Sequence, residues 1–381
     1  MNARQRRGAN YTSRVIPSLK DLDWRDFLSR PPLPSPTPEA LDPVHQHSIL
    51  ITGAGGSIGS ALALRLGALG PVKLILLETA ESNLHALQRD WASARAICAT
   101  NFILGSAADE AMLDEIFAIH APRIVFHAAA FKHVPLMEEQ PLAAIANNIF
   151  ATETLTRVAA AHGSRVVLLS TDKAVAPASV MGATKRVAEQ IVLASGGTVL
   201  RLGNVLASRD SVAEIFTRQI AEGGPLTVTD PAARRYFLTL DEAVNLLLTA
   251  ATYTSSAALF APVLGTTHSI ADLARFIAHK LSPEREIAIE FTAPRTGDKE
   301  TEVLWSANEQ TSPASCDGML LVETTLLTTV QLASRLTDLR TALDARDLSD
   351  ALAHLRTLVP NYTPSNAVLA LASKRGTQVC V

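Results

Sequence analysis

From residue 48 onwards, short apolar runs alternate along the chain with amphipathic stretches of helical period. Apolar runs of strand length begin at Ile49, Leu74, Phe102, Ile124, Val166 and Val199. Helical-period segments separate them, for example at 57–69, 81–91 and 109–119. Continuous apolar strands that alternate with helices are typical of a parallel sheet covered on both faces. The pattern therefore predicts an α/β fold, with a Rossmann-type doubly wound sheet over residues 46–205.

The alternation loosens after residue 205, where turns and short strands separate two further helical segments. We interpret residues 206–310 mainly as a smaller lobe that binds substrate, because ligands of open α/β sheets bind at the carboxyl ends of the strands. Residues 311–381 have helical period in their middle part and predict a helical appendage and tail. Residues 1–45 predict an extended, poorly ordered lead, since six prolines lie between Pro31 and Pro43. A short docked helix is expected at 19–28.

Composition narrows the class of protein. Hydrophobic residues make up 48% and charged residues 19% of the chain, and the net charge of −3 provides no basic field for nucleic acid. Cys98, Cys316 and Cys380 have no metal-ligand spacing, which predicts no metal site and fits a reducing cytoplasm. No apolar run reaches the roughly 20 residues of a membrane span. We expect a cytoplasmic protein without direct membrane insertion.

A glycine-rich loop joins the first predicted strand to a helix. Gly53, Gly56 and Gly59 have the G-x-x-G-x-x-G spacing of short-chain dehydrogenases, and Ser57 and Ile58 open the helix between them. Glycines at such a loop let the backbone approach a pyrophosphate at the positive helix end. A tight turn with close packing is the alternative, but a strand before the loop and a helix after it favour a dinucleotide site.

Two other strand ends predict the walls of the same site. Glu78 ends the second strand, where a carboxylate can accept hydrogen bonds from the adenosine ribose and would repel a 2′-phosphate. Because no arginine follows it directly, NAD is favoured over NADP, while an ordinary strand-end carboxylate is the alternative. Ala128 and Ala129 follow the fourth strand and suit a wall beside the nicotinamide; His127 before them is interpreted as structural.

The fifth strand and the helix after it carry the candidate chemistry. Lys185 occupies the lysine position of the short-chain dehydrogenase Y-x-x-x-K pair, and Met181 occupies the tyrosine position. Thr171 lies where short-chain dehydrogenases have a hydroxyl group that hydrogen-bonds the substrate alcohol. Asp172 and Lys173 follow directly and can act as acid and base if their surroundings set the right protonation. A solvated ion pair is the alternative for these two residues.

Four segments, 127–138, 170–189, 201–211 and 235–243, resemble UDP-N-acetylglucosamine 4,6-dehydratases of bacterial polysaccharide biosynthesis, which are extended short-chain dehydrogenases. The similarity runs from about residue 22 to about residue 364. With methionine at the tyrosine position, the chain is most similar to the soluble catalytic part of the large, membrane-anchored branch of that family.

The resemblance implies a reaction on a UDP-N-acetylhexosamine. A tightly bound and recycled NAD or NADP oxidises the alcohol at the fourth carbon, C4. Lys173 then removes the proton from C5, and Asp172 protonates the hydroxyl that leaves C6, which gives a UDP-4-keto-6-deoxy sugar. Met181 cannot accept a proton, so the first deprotonation needs Asp172, Lys173 or water. Because homo-oligomers are common for this fold, we also expect a homo-oligomer.

Substrate-binding residues are implied by the same resemblance. Arginine suits a diphosphate because its planar fork donates two hydrogen bonds, although each arginine could equally form a surface ion pair. The implied contacts are Lys132, His133, Arg201, Asn204, Arg209, Arg235 and Arg295.

Two other functions stay open at this point. A UDP-sugar 4-epimerase would need oxidation and re-reduction at one carbon only, which leaves Asp172 and Lys173 without a task. A protein that senses NAD(P) without turnover usually lacks the active-site lysine, whereas Lys185 is present.

Overall fold

The computed structural model describes residues 18–94, 96–253, 257–316 and 318–375. Residues 1–17 of the predicted lead, and Cys380 in the predicted tail, lie outside the described residues. The strands, in chain order, are β1 Ser48–Thr52, β2 Lys73–Glu78, β3 Ala99–Leu104, β4 Ile124–His127, β5 Arg165–Thr171, β6 Thr198–Leu202, β7 Asn204–Val205, β8 Leu226–Val228, β9 Arg234–Arg235, β10 Phe237–Leu238, β11 Ala258–Pro262, β12 His268–Ser269, β13 Ile289–Phe291, β14 Gln310–Pro313 and β15 Met319–Glu323.

The helices surround one large sheet and fill the smaller lobe. In chain order they are α1 Arg25–Leu28, α2 Asp42–His45, α3 Ser57–Leu69, α4 Glu81–Ser93, α5 Glu110–His120, α6 Val134–Glu139, α7 Pro141–Ile145, α8 Ala151–Ala161, α9 Val180–Ala194, α10 Val212–Glu222, α11 Leu240–Thr252, α12 Ile270–Leu281, α13 Thr329–Asp344, α14 Leu348–Leu358 and α15 Asn366–Arg375. A π-helical turn over 146–150 joins α7 to α8.

The large sheet has nine strands in the order β14-β15-β11-β6-β5-β4-β1-β2-β3. Strands β1 to β6 and β11 run parallel, while β15 is antiparallel to β11 and β14 to β15. The chain order reverses between β1 and β4, which is the point where doubly wound sheets bind nucleotides. The six predicted strands and the doubly wound α/β fold are confirmed.

The sheet continues beyond residue 205, where the sequence analysis ended the Rossmann domain. β11 pairs in parallel with β6, so that Leu259 lies opposite Val199, and α11 packs on the same core. β14 and β15 then extend this edge, although residues 311–323 were assigned to a helical appendage. The predicted boundaries at 205 and 310 are therefore corrected: residues 206–323 contribute to both the sheet and the lobe.

The smaller lobe has its own core. Helices α10 and α12 bury Phe216, Ile220, Leu273 and Ile277 against short strands that include β8. Three two-stranded pairings, β7 with β10, β9 with β12 and β8 with β13, complete the lobe. β7 follows β6 almost directly, so the lobe begins at the carboxyl edge of the large sheet.

The lead is packed rather than poorly ordered over residues 18–45. Trp24 and Phe27 are buried in the core of the smaller lobe, where Phe27 lies 5.6 Å from the Phe237 ring. Leu41 and Val44 belong to the core of the large sheet. The prolines permit an extended path between these anchors, and the apolar side chains fix it. The docked helix predicted at 19–28 is present as a 3₁₀ turn followed by α1.

Helices are present in the C-terminal part, where the sequence predicts them, and they pack on α7 and α9. Leu336 and Leu339 of α13 are buried in one core with Ile149 and Val187, and the Arg340 guanidinium lies 4.0 Å from the Phe150 ring. None of the helices in the described ranges has both the length and the apolar character needed to cross a membrane.

Candidate active site

The glycine loop after β1 has a shape that side chains cannot fit. Gly53 has φ +68°, and a Cβ atom there would lie 2.7 Å from the backbone of Ala129. A Cβ atom on Gly59 would lie 2.1 Å from the Gly53 carbonyl oxygen. The loop therefore packs directly on the end of β4, and it leads into the positive amino end of α3, which is suited to a phosphate. These residues fit a dinucleotide, whose adenosine side would lie towards β2.

Glu78 supports this loop. Its Oε2 accepts a hydrogen bond of 2.9 Å from the Gly55 amide, and its Oε1 accepts one of 2.9 Å from the Ala80 amide. Each carboxylate oxygen retains a second lone pair that a ribose hydroxyl could use. The position is the predicted one, and the role towards a ribose stays a prediction.

His127 has the structural role expected of it. The ring is buried between the Thr52 and Thr152 hydroxyls, at 2.7 Å from Nδ1 and 2.9 Å from Nε2. Burial, with a smaller contribution from Lys185, lowers the pKa of His127 to about 3. The ring is neutral at physiological pH, and it fixes the end of β4 beside the glycine loop.

Lys185 is a buried cation below the end of β5. Its Nζ donates a 2.7 Å hydrogen bond to the Leu169 carbonyl oxygen. Burial lowers the pKa of Lys185 to about 8, and Glu189 partly opposes the shift. Met181 lies one turn earlier in α9 and is 4% exposed, so the position that usually carries the tyrosine has no group that can titrate.

Asp172 and Lys173 leave the end of β5 as a partly buried ion pair. The Asp172 carboxylate is fully buried, and its Oδ1 accepts hydrogen bonds of 2.9 Å from both Lys173 Nζ and the Thr171 hydroxyl. The other oxygen, Oδ2, is also buried and has no partner among the described residues. Lys173 Nζ also lies 3.3 Å from Asn204 Oδ1. The structure thus brings Asn204 to the strand end that carries Thr171, Asp172 and Lys173, and their roles in chemistry stay predictions.

The sequence analysis gave no role to two residues of this site, Lys299 and Glu302. Glu302 is 2% exposed, with Oε1 3.9 Å from Lys173 Nζ and Oε2 2.7 Å from Lys299 Nζ. We call Asp172, Lys173, Lys299 and Glu302 the lysine cluster. Burial disfavours the ammonium form of Lys173, but Asp172 and Glu302 together raise its pKa above the ordinary value. Lys173 is therefore a cation, and it becomes neutral only when substrate changes its surroundings or when the pH is raised.

Arg201 does not bind substrate as predicted. Its guanidinium is fully buried and donates to both carboxylate oxygens of Glu189, to both of Glu309 and to the Leu304 carbonyl. Arg186 also donates a hydrogen bond to Glu189. Burial alone would raise the pKa of Glu189, but the charge and hydrogen bonds of Arg201 outweigh burial, so the pKa of Glu189 is lowered. These four charged residues, Arg186, Glu189, Arg201 and Glu309, are called the arginine cluster below. All five N–H donors of the Arg201 guanidinium are used within the protein, so none is left for a substrate.

Arg235 also has a supporting position. Its guanidinium donates 2.8 Å hydrogen bonds to the carbonyl oxygens of Arg234, Lys299 and Glu300. Three of the five N–H donors of Arg235 are thus used on backbone oxygens, which fixes the segment that carries the lysine cluster. A contact between Arg235 and substrate stays a prediction. Arg295 forms the exposed ion pair that the sequence left open, with Nε 2.9 Å from Asp298.

Three other predicted substrate residues, Lys132, His133 and Arg209, lie near the glycine loop. Lys132 Nζ donates to the Arg209 carbonyl oxygen, and His133 lies 3.9 Å from Asp210. The Arg209 side chain contacts Gly55, and within the described part of the chain it has no hydrogen bond or ion pair with the lysine cluster. Substrate roles for Lys132 and His133 stay predictions.

A second missed residue group braces the backbone after β4. Asn148, in the π-helical turn, accepts from the Phe131 amide and donates to the Phe131 carbonyl and to the Thr184 hydroxyl. Local π-helical turns often occur at functional sites, and this one ties β4 to α9. Asn148 reaches the Phe131 backbone because the turn is π-helical. The hydrophobic periodicity of the sequence does not reveal such a turn, so this contact was not predicted.

Comparison with known proteins agrees with this architecture. Residues 49–324 match the family model described as "Polysaccharide biosynthesis protein". The probable polysaccharide biosynthesis protein EpsC of Bacillus subtilis is 38% identical over 309 residues, which cover 78% of this chain and 51% of EpsC. This chain thus spans about half the length of that relative.

Two further comparisons cover most of both proteins. A UDP-glucose 4-epimerase of Rickettsia rickettsii is 34% identical over 275 residues, 69% of this chain and 78% of the epimerase. The X-ray structure of Pen from Bacillus thuringiensis matches 74% of this chain and 89% of Pen with a TM-score of 0.68 and 27% identity. Because the family model covers well over half of its length, the chain belongs to the polysaccharide biosynthesis protein family.

Proposed function

We propose that this protein uses a bound NAD(P) to dehydrate a UDP-N-acetylhexosamine, UDP-N-acetylglucosamine in the first instance, to the 4-keto-6-deoxy sugar. The observation that carries the proposal is the lysine cluster at the end of β5. A carboxylate with one buried, unpartnered oxygen and an amine 2.9 Å from its other oxygen form an acid and base pair next to the expected nicotinamide. Family membership and relatives named for polysaccharide and UDP-sugar proteins support the substrate class.

The glycine loop and Lys185 would hold the cofactor. A bound nicotinamide ring supplies the reversible hydride acceptor that oxidation at C4 and reduction at C6 both need. The amino end of α3 faces the phosphate position, and Lys185 is suited to the nicotinamide ribose because its Nζ lies just behind the end of β5. We favour NAD because Glu78 places a carboxylate at the end of β2.

Asp172 is the group that accepts the proton of the C4 hydroxyl. Met181 has no titratable atom, and Asp172 Oδ2 is the unpartnered acceptor at this strand end. The Thr171 hydroxyl donates to Oδ1 and orients the carboxylate. Having taken this proton, Asp172 holds an acid proton that it can give to the hydroxyl leaving C6, so the carboxylate returns to its starting state as water departs.

Lys173 is the base for the C5 proton. The ketone at C4 acidifies that proton, and the neutral amine removes it and later returns a proton to C5. Since Asp172 and Glu302 raise the pKa of Lys173, only a small fraction is neutral near pH 7, and the rate should increase as the pH is raised. Each proton taken up by the pair is also released by it, so the reaction balances with loss of one water.

Mass spectrometry tests the proposal. Purified protein incubated with UDP-N-acetylglucosamine should yield a product lighter by one water, whose proton NMR spectrum shows a C6 methyl group. A 4-epimerase, the second candidate because of the Rickettsia relative, would leave the mass unchanged. Unchanged mass with an altered sugar spectrum would therefore replace dehydration with epimerisation. If the wild-type protein bound no dinucleotide, both candidates would fail.

A further inference from the structure

The segment that follows β7 lies across the glycine loop. We define residues 206–211 as the crossing segment. The Arg209 amide donates a 2.9 Å hydrogen bond to the Ser57 hydroxyl, and its Nη1 donates to the Gly55 carbonyl at 2.9 Å and to Asn83 Oδ1 at 3.0 Å. The backbone of Arg209 thus lies at the start of α3, and its guanidinium lies on the β2 side of the loop.

We propose that Arg209 is a dinucleotide-binding residue, which binds a phosphate group in the adenosine half of NAD(P) and slows release of the nucleotide. The inference rests on the proposed function only in needing a dinucleotide in the glycine loop. It differs from the substrate contact expected from the sequence, because the side chain contacts the glycine loop and α4.

The free donors of Arg209 suit a phosphate. Both side-chain hydrogen bonds use Nη1, while Nη2 and Nε have no hydrogen-bond partner in the described part of the chain. The guanidinium fork is suited to phosphate oxygens because two parallel hydrogen bonds add to the charge attraction. The first turn of α3 contains no acidic residue that would compete for this cation.

The crossing segment is held in a conformation that costs energy. Ala207 and Asp210 both have φ +56°, in the left-handed region that side chains with a Cβ atom rarely adopt. Contacts on both sides hold it there: Lys132 Nζ donates 2.7 Å to the Arg209 carbonyl, and the Asp210 amide donates 2.7 Å to Glu214 Oε2. Strain of this kind persists where surrounding contacts fix it, often at ligand clamps.

The position also connects the two ligand sites. Lys132 follows β4, next to the expected nicotinamide wall, and its contact with Arg209 links that wall to the crossing segment. Release of the nucleotide requires this segment to move off the glycine loop. A cofactor that is recycled at each turnover is consistent with such a barrier.

Arg209→Ala tests the proposal with nucleotide retention as the readout. Retention is measured as the molar amount of NAD or NADP released on heat denaturation of purified protein, and as the dissociation rate in a displacement assay. We expect dissociation of the variant to be about tenfold to a hundredfold faster, the size of one lost charge-assisted phosphate contact. Arg218→Ala, an exposed arginine of α10 in the same lobe, is the matched control and should match wild type.

Parallel titrations with NAD and with NADP identify the phosphate. An equal loss for both nucleotides assigns Arg209 to the diphosphate, and a loss confined to NADP assigns it to the 2′-phosphate. Unchanged retention of both nucleotides in a folded Arg209→Ala protein would overturn the proposal.

A second variant covers the case in which Arg209→Ala does not fold. Arg209→Lys keeps the charge but loses the fork, so its dissociation rate should lie between wild type and the alanine variant; a rate equal to wild type would contradict the role of the fork. The two proposals fail separately. If the wild-type protein retained nucleotide but formed no dehydrated sugar, the proposed function would be wrong, and the role of Arg209 in nucleotide binding would still stand.

Discussion

Two buried groups of charges, each with two cations and two carboxylates, lie at neighbouring strands and serve different ends. In the arginine cluster, all four carboxylate oxygens of Glu189 and Glu309 have partners, and Arg201 is fully buried. In the lysine cluster, Asp172 keeps an unpartnered oxygen and Lys173 is 20% exposed. Two buried clusters with the same number of positive and negative side chains can therefore have different roles. The role depends on whether the cation is arginine or lysine and on whether every carboxylate oxygen has a hydrogen-bond partner.

The difference follows from the side chains. Arginine does not lose its proton in proteins, and its fork can satisfy several carboxylate oxygens at once, so the arginine cluster joins α9, β6 and the segment before β14 permanently. Lysine has a point charge and can titrate, so the lysine cluster can exchange protons. We infer that the first cluster fixes the site and that the second reacts.

Breaking the arginine cluster should have the largest effect on stability. Arg201→Met leaves Glu189 and Glu309 buried with fewer partners, and removal of one member of a buried ion pair costs about 3–5 kcal/mol. Urea denaturation at pH 7 measures the change. Arg275→Met, which removes the exposed pair with Asp272, is the control and should change the free energy of unfolding by less than about 1 kcal/mol. Equal losses for both variants would contradict the structural role of the cluster.

This arginine also shows what the sequence could predict. The glycine loop, the six strands and the Thr171-Asp172-Lys173 strand end depend on local pattern, and local pattern placed them correctly. Arg201 lies at a strand end like the candidate ligands, but both faces of a parallel sheet are buried, so alternation does not tell a core arginine from an exposed one. Its partner Glu309 is 108 residues away.

The place of β11 in the large sheet and the place of Glu302 beside Lys173 were missed for the same reason. β11 joins the parallel part of the large sheet through its pairing with β6. Glu302 lies 3.9 Å from Lys173 Nζ, just after a backbone segment that Arg235 holds at Lys299 and Glu300. Neither pairing has a local signature. Resemblance to a family supplied residue roles, but the structure decides which arginines are available to a ligand.

Lys185 sharpens the comparison through pH. Burial lowers its pKa to about 8 from 10.5, so between these values the unfolded chain binds more protons than the folded one and stability rises with pH. The contribution is up to about 1.4 kcal/mol for each pH unit. Nucleotide-free wild type should therefore gain stability relative to Lys185→Met between pH 8 and pH 10 in urea denaturation. If the difference in the free energy of unfolding between the two proteins stayed constant across this range, the pKa of Lys185 would not be lowered in the folded state.

Glu302→Gln should have the smallest effect, a displaced pH profile. Glu302 helps to raise the pKa of Lys173, so removing its charge lowers that pKa and increases the neutral fraction at a given pH. The rising limb of kcat against pH should move to lower pH by about one unit, the scale of a nearby charge in a partly buried site. Glu300→Gln, whose carboxylate is exposed, is the control. If the rising limb of Glu302→Gln stayed at the wild-type pH or moved to higher pH, Glu302 would not raise the pKa of Lys173.

Deuterium exchange at C5 tests the central claim most directly. The protein is incubated with UDP-N-acetylglucosamine in deuterated water, and the product is analysed by proton NMR. We predict a product with deuterium at C5, because most hydrogens on the Lys173 ammonium come from solvent, and a rate about 10²–10⁴-fold lower for Lys173→Met that still retains nucleotide. Lys173→Met protein that dehydrates the sugar and exchanges C5 at the wild-type rate would contradict the account.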